Sequence, residues 1–392
     1  MVISISRTSL MIKDKSSNYF ISVFRILIIA GHIFPCGAFG IDRYVSLSGT
    51  NDAVNKYNTW TGAATNIQWA VNAAIAGDTI WVSNGTYYLT NRVAITSDIT
   101  LKSFSGSYTN TIINANGPIV TTRCVALQSS GAILDGFTLT NAFVNGDGAG
   151  VFISGGLLRN CLITGNSTTN NGSTITYGGG VRASGAGAVI QNCDIIGNTA
   201  GGAPNYGGSG GGVYLLNGAQ IYDSRINHNR APVYAGQGGA AFINNAWMIN
   251  CIVTSNTVSP SGYGPGGIQI INYTAPSLLR QCMILRNSGG SGIAAGVGLQ
   301  QGYLTMHNCT VVSNSGYGIA STFQGGYIFV TNSIVYFNSS GTFGSTIGGW
   351  TTRAINSCLQ STNNLTSYSD NITDNPMLAD DLLHIRCVLI RN

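Results

Sequence analysis

The 392-residue chain carries 53 glycines, 8% charged side chains and 13 acidic residues, all of them aspartate. That much glycine without any glutamate excludes a solenoid of α-helical repeats. The formal charge of +5 comes mostly from the first 40 residues, and without them 14 basic and 12 acidic side chains leave +2, too little for the Lys/Arg stripe that nucleic acid requires.

Residues 1–40 read as an export signal. Arg7, Lys13, Lys15 and Arg25 precede the apolar ILIIAGHIF, and Ala38 and Gly40 hold the −3 and −1 positions of a cleavage before Ile41, as in a secretory leader. Cys36 follows Phe34 and Pro35, a poor context for a lipid anchor. No later apolar run reaches the roughly 20 residues that cross a bilayer as a helix. The expectation is a secreted or cell-surface protein without a transmembrane segment.

Residues 41–90 are the expected N-terminal cap and first strands. Ile67, Trp69, Ala70, Ala73 and Ala74 follow helical spacing, with Gly77 placed to end the helix. Ile80, Val82 and Tyr87 to Leu89 then read as strands. A short helix here would cover the open edge of a strand stack, so Asp78 is expected to be structural.

From 91 to 363 the chain repeats itself. LLRNCLITGN (157–166) returns as VIQNCDIIGN (189–198), QIYDSRINHN (220–229), WMINCIVTSN (247–256), LLRQCMILRN (278–287), TMHNCTVVSN (305–314) and FVTNSIVYFN (329–338), with a degenerate forerunner AILDGFTLTN (132–141). One polar row runs through Asp135, Asn160, Asn192, Asp223, Asn250, Gln281, Asn308 and Asn332. Six residues on, a second runs through Asn141, Asn166, Asn198, Asn229, Asn256, Asn287, Asn314 and Asn338. Intervals of 24 to 32 residues mean stacked supersecondary units with insertions on one side.

The apolar residue two before the first row is out of strand phase with those one and three after it, so the chain must bend at that row. Asparagine tolerates the left-handed backbone of such a corner. A third strand opened by glycine, as in GAGVFIS and GGGVYLL, precedes each bend. Three short strands per turn describe a parallel β-helix, with coils about 4.8 Å apart and asparagine amides bonded along the axis. One uninterrupted domain of about nine to ten coils is expected. Past Asn338 the pattern weakens, Asn356, Ser357 and Leu359 keeping the offsets while Thr362 replaces the second asparagine.

These copies, with an IQ-x-A helix ahead of GDTI and G-T-Y, resemble the secreted β-helix repeat proteins of the pectin-lyase-like superfamily, including pectate-lyase-like and polymorphic outer-membrane-protein-like members. The resemblance covers roughly residues 42–378 and implies an all-β, single right-handed parallel β-helix with a short N-terminal capping helix. Right-handed crossovers are also the general preference of parallel strands. Residues 364–392 form the closing segment; where the family usually runs into a Ser-Pro-Cys tract this chain has DDLLHIRCVLIRN, which suggests a shortened or altered C-terminus. The scaffold carries enzymes, adhesins and proteins of no known activity, so the fold does not give the function.

Five of the nine cysteines share one inward offset, and parallel stacked side chains suit a disulfide badly. They are expected to be buried thiols that pack as small hydrophobes. No metal site is expected, because no CxxC or clustered His/Cys spacing occurs.

Among charged groups Asp194 and Arg225 take the same outward offset on neighbouring coils, with Asp223 and His228 nearby. Asp194, Asp223 and Arg225 are the candidate catalytic residues if the chain is a lyase, and a cross-coil ion pair is the alternative. Of the catalytic patterns of the superfamily's enzymes, His-Gly with Arg-x-Lys is missing, a paired Asp-Asp occurs only at Asp380–Asp381 beyond the repeats, and the Arg-x-x-x-x-Arg spacing at Arg225–Arg230 has a single aspartate, Asp223, beside it in sequence. Tyr177, Tyr206, Tyr234, Tyr263 and Tyr317 each lie close to glycine in the variable loops and are the candidate ligand-binding residues, either lining one face for sugar rings or packing on one another.

The leading expectation is a monomeric, exported β-helix that binds a polysaccharide or cell-surface glycan through its loop face. A uronate-cleaving polysaccharide lyase is the alternative, and a fragment of a longer adhesin or autotransporter passenger is a third. No cofactor is expected, calcium entering only with the lyase.

Overall fold

The computed structural model describes residues 40–169, 175–201, 207–232, 236–290, 294–321, 326–345 and 351–376. The expected leader up to Phe39 lies outside the described residues, as do Tyr206, Tyr234 and the end of the closing segment from 377.

The helix α1 (Ile67–Ala73) is capped by the Asn66 side chain, which accepts from the Gln68 amide. It turns Ile67, Ala70 and Val71 inward, whereas Trp69, expected on that apolar face, is 47% exposed. The helix ends at Ala73, with Ala74 already extended. Gly77, with φ 92, therefore belongs to the following turn and does not stop the helix. Gln68 makes the cap specific: its Oε1 accepts from Ala94 N at 2.7 Å and its Nε2 donates to Ala94 O at 3.2 Å. Ala94 is in the first strand of its sheet, Val93–Ile95, so one carboxamide stands in for the missing neighbouring strand. Asp78 is structural, accepting from the Ile41 and Ile75 amides at 2.9 Å each and from buried Arg43 at 2.7 and 2.8 Å.

Each coil contributes to three sheets. In one coil these are Val151–Ile153 in sheet C, Gly156–Arg159 in sheet A and Leu162–Thr164 in sheet B, each paired in parallel with the next coil. Sheet B has 11 strands, and A and C together have 22 because Ala294–His307 runs from C into A as one strand. Inside, like residues stack in columns, Leu158, Ile190, Ile221, Met248, Leu279, Met306 and Val330 from sheet A facing Ile163, Ile195, Ile226, Val253, Ile284, Val311 and Val335 from sheet B, all fully buried. Each such side chain contributes about 1.5–3 kcal/mol, and a one-residue slip would turn a whole column outward.

The first polar row is the corner between sheets A and B. From Asn160 to Asn332 its seven members have φ between 49° and 55°. A second left-handed residue, not anticipated from the sequence, sits just before each second-row asparagine: Gly165, Gly197, His228, Ser255, Arg286, Ser313 and Phe337. From Asn166 to Asn338 the second-row asparagines are buried and bonded into a ladder. Asn198 Nδ2, for example, donates to Asn229 Oδ1 at 3.0 Å while its backbone N–H reaches the same oxygen at 2.9 Å. Where glycine opens a sheet C strand it makes room for the ladder, since a Cβ on Gly150 would lie 2.9 Å from Asn166 Nδ2 and 2.6 Å from Gly180 O.

The forerunner copy is one residue out of the expected alignment. Asp135 pairs with Arg159, and Leu139 with Ile163, so Gly136 (φ 88) makes the corner and Ala142 occupies the ladder slot in place of Asn141. The ladder starts there, Ala142 N donating to Asn166 Oδ1 at 3.0 Å. At the far end Thr362 falls in the slot, but the Gln360 side chain takes the bond, accepting from Asn338 N at 3.0 Å.

Candidate functional site

The corner between sheets A and B opens at one place into a cleft of ≈ 440 Å³ that brings together Asp194, Asp223 and Arg225 with Asn160, Asn192 and Tyr108. Asp194 and Arg225 open neighbouring sheet B strands in register, so both side chains point outward one coil apart. Arg225 grips the carboxylate with both arms, Nε to Oδ1 at 2.6 Å and Nη2 to Oδ2 at 2.7 Å. Tyr108 Oη donates to Asp194 Oδ2 at 3.0 Å. Burial opposes ionisation of Asp194, but the bonds from Arg225 and Tyr108 outweigh it and hold its carboxyl below the usual range. The bond to Asp194 likewise raises Arg225 above its ordinary value and Tyr108 above its own.

Tyr108 carries no signal in the sequence, standing 86 residues from its partner. It arrives because residues 104–110 leave the coil between Thr100–Ser103 and Thr111–Asn114 and lie along sheet B, where Thr138 Oγ1 donates to Tyr108 O at 2.8 Å. Asp223 occupies a corner position and accepts from Asn250 Nδ2 at 2.6 Å. A neighbouring network ties Asp135 to Arg159 at 2.9 Å, to Lys102 at 3.8 Å and to Asn160 Nδ2 at 2.7 Å. His228, adjacent in sequence, is not in the cleft: it forms the left-handed corner at the other end of its strand, beside Asn227.

Chemically the cleft holds one carboxylate, Asp194, kept ionised by its partners, and a second, Asp223, already hydrogen-bonded. A general acid needs a raised pKa, and a guanidinium held protonated by a bidentate carboxylate is a poor proton acceptor. Among the described residues no three His, Cys, Asp or Glu side chains gather closely enough to hold a metal ion.

The three described loop tyrosines do not form one column. Tyr177 pairs with Ser209, and Ser209 bridges to Gln237; the ring stacks on Tyr214 at 4.5 Å, with Phe242 at 5.9 Å. Tyr317 opens the strand Tyr317–Ser321 opposite Gly341, and Tyr263 is exposed in a loop. Loops of unequal length shift the rings out of register, so the three described tyrosines do not make the single lined face expected. Exposed rings gather instead on the outer face of sheet A. Tyr303 and Tyr327 stack at 5.0 Å in adjacent strands, and Phe329 lies 6.5 Å from Tyr327. Trp247 falls in the same register position as Leu278, Thr305 and Phe329.

Solved structures are similar to this one at low identity. A rhamnogalacturonan lyase superposes with a TM-score of 0.50 at 14% identity over 79% of this chain and 86% of its own. Pectate lyase Pel9A gives 0.36 at 12% over 86% and 78%. The pectin methylesterase PemA from Erwinia chrysanthemi gives 0.34 at 11% over 82% and 90%. No curated protein matches the chain in sequence. Residues 205–376 match the family model of the right handed beta helix region, and the coils before residue 205 continue the same parallel β-helix, the fold that the rhamnogalacturonan lyase shares.

Proposed function

We propose that the protein binds an extended polysaccharide along the outer face of sheet A and its corner with sheet B, without cleaving it. One observation carries this reading: aromatic rings stand exposed on a flat face, Trp247 at 41%, Tyr303 at 47% and Tyr327 at 42%. Sugar rings stack on such apolar faces, and the corner amides of Asn160, Asn192 and Asn250 offer hydrogen bonds beside them. Tyr263, 53% exposed, is the loop-face tyrosine to test with them. Export is part of the proposal and rests on the leader pattern in residues 1–40; a mature protein beginning at Ile41 is expected on N-terminal sequencing of secreted material.

The test is affinity for a panel of neutral and acidic polysaccharides, with product analysis for unsaturated uronates, with and without calcium. Trp247→Ala and Tyr327→Ala should each weaken binding about tenfold, and Asp194→Asn and Arg225→Gln, which share the corner cleft with Asn160 and Asn192, should weaken it less. A product that appears with the wild type and vanishes with Arg225→Gln would replace this reading with the lyase. Unchanged affinity in Trp247→Ala and Tyr327→Ala would move any binding site off sheet A.

A further inference from the structure

Sheet C carries a second charged cluster on its own outer face. Ala126, Phe152, Arg182 and Tyr214 follow one another there in register, one per coil. Ala126 is small, and Arg123 reaches the Phe152 ring, lying 5.0 Å from its centroid while Arg182 lies 4.9 Å from it. Burial lowers the Arg123 pKa and the charge of Arg92 lowers it further, while Asp147 opposes the shift and Arg182 adds to it. Among the described residues one carboxylate, Asp147, faces Arg123 and Arg182. Asp147 Oδ1 accepts from Tyr177 N at 2.8 Å, and its Oδ2 lies 3.3 Å from Arg182 Nε, which is nevertheless buried without a hydrogen bond. Among the described residues the Arg123 guanidinium has neither a hydrogen bond nor an ion pair.

A half-buried guanidinium among like charges, with its donors unspent, is costly. Its planar fork matches a carboxylate or sulfate, and such an oxyanion would satisfy those donors and offset the repulsion. We propose that Arg92, Arg123 and Arg182 form an oxyanion site on sheet C that takes a sulfate or carboxylate group of an acidic polysaccharide. A nucleic acid would need a longer basic stripe than these three residues supply. The inference does not rest on the aromatic face of sheet A.

Dextran sulfate, carboxymethyl dextran and unmodified dextran share one backbone and isolate the oxyanion. At about 0.15 M salt, where exposed charges are largely screened beyond a Debye length, binding of either charged polymer and not of unmodified dextran is expected, the stronger one identifying the oxyanion. Arg123→Gln should weaken it about tenfold, and Arg230→Gln, the same loss of charge at another exposed position, should leave it unchanged. Without polymer, Arg123→Gln should melt at the wild-type temperature or above it, because a repulsive charge is gone. Equal losses in the two variants, equal binding of unmodified dextran, no binding at all, or a single-stranded oligonucleotide binding as tightly as dextran sulfate would each overturn the proposal. So would a fall in the melting temperature of Arg123→Gln, which would mean that Arg123 already has its partner inside the fold.

Discussion

Two aspartate–arginine pairs in this chain have similar geometry and unequal consequences. Arg43 and Asp78 are both essentially without solvent exposure, so removing one partner strands a buried charge. Arg43→Met should cost about 3–5 kcal/mol, read as a lower denaturation midpoint. Burial raises the pKa of Asp78, but the amides of Ile75 and Ile41 and the Arg43 guanidinium outweigh it and lower the value overall. A lowered folded-state pKa stabilises the native state above the unfolded value of about 4 and is lost as pH falls through the folded value; the Arg43→Met difference should therefore shrink in acid. Asp194 has the same sign of shift, but the Arg225 side chain is 59% exposed and can return to water. Asp194→Asn should cost about 1 kcal/mol or less, and a loss of several kcal/mol would mean that the cleft organises the fold.

At the scale of elements the two polar rows share a residue type for different reasons. The outer row is held by backbone conformation, with φ 50° at Asn192; glycine should serve there, whereas valine should cost about 1–3 kcal/mol. The inner row is held by hydrogen bonds. Asn229 donates from Nδ2 to Ile195 O and Asn256 Oδ1, and accepts from Asn198, all with no solvent exposure. Asn229→Leu would strand several buried groups, each worth about 1–3 kcal/mol, so it should be far more damaging than Asn192→Gly in urea denaturation. Gln68 tests the cap in the same way. Gln68→Ala should bare the backbone of Ala94 at a sheet edge and promote self-association, visible as concentration-dependent light scattering; a variant that stays monodisperse would show that helix packing alone closes that end.

For the whole molecule the consequence is a core that grows along one axis and needs no crosslink. Cys124, Cys161, Cys193, Cys251, Cys282 and Cys309 are free and buried, and burial pushes Cys124 and Cys251 up to about 12. A thiolate reagent should leave these six unmodified in native protein and label them together on unfolding. Any of the six labelled under native conditions, counted by mass spectrometry, would contradict this packing.

The sequence by itself determined the coil. Like residues lie above one another in a parallel stack, so a periodic pattern of apolar, corner and ladder positions leaves one consistent arrangement, and both polar rows were legible for that reason. The forerunner copy misled because Asp135 imitated a corner residue while Gly136, with no side chain to advertise it, made the corner. Only the tertiary structure decided what the surface carries. Tyr108 reaches Asp194 through a loop lying along the axis, Arg123 joins Arg182 through a gap left by an alanine, and the loop tyrosines lose their register to unequal loop lengths. A period constrains what recurs once per coil, and these contacts do not recur.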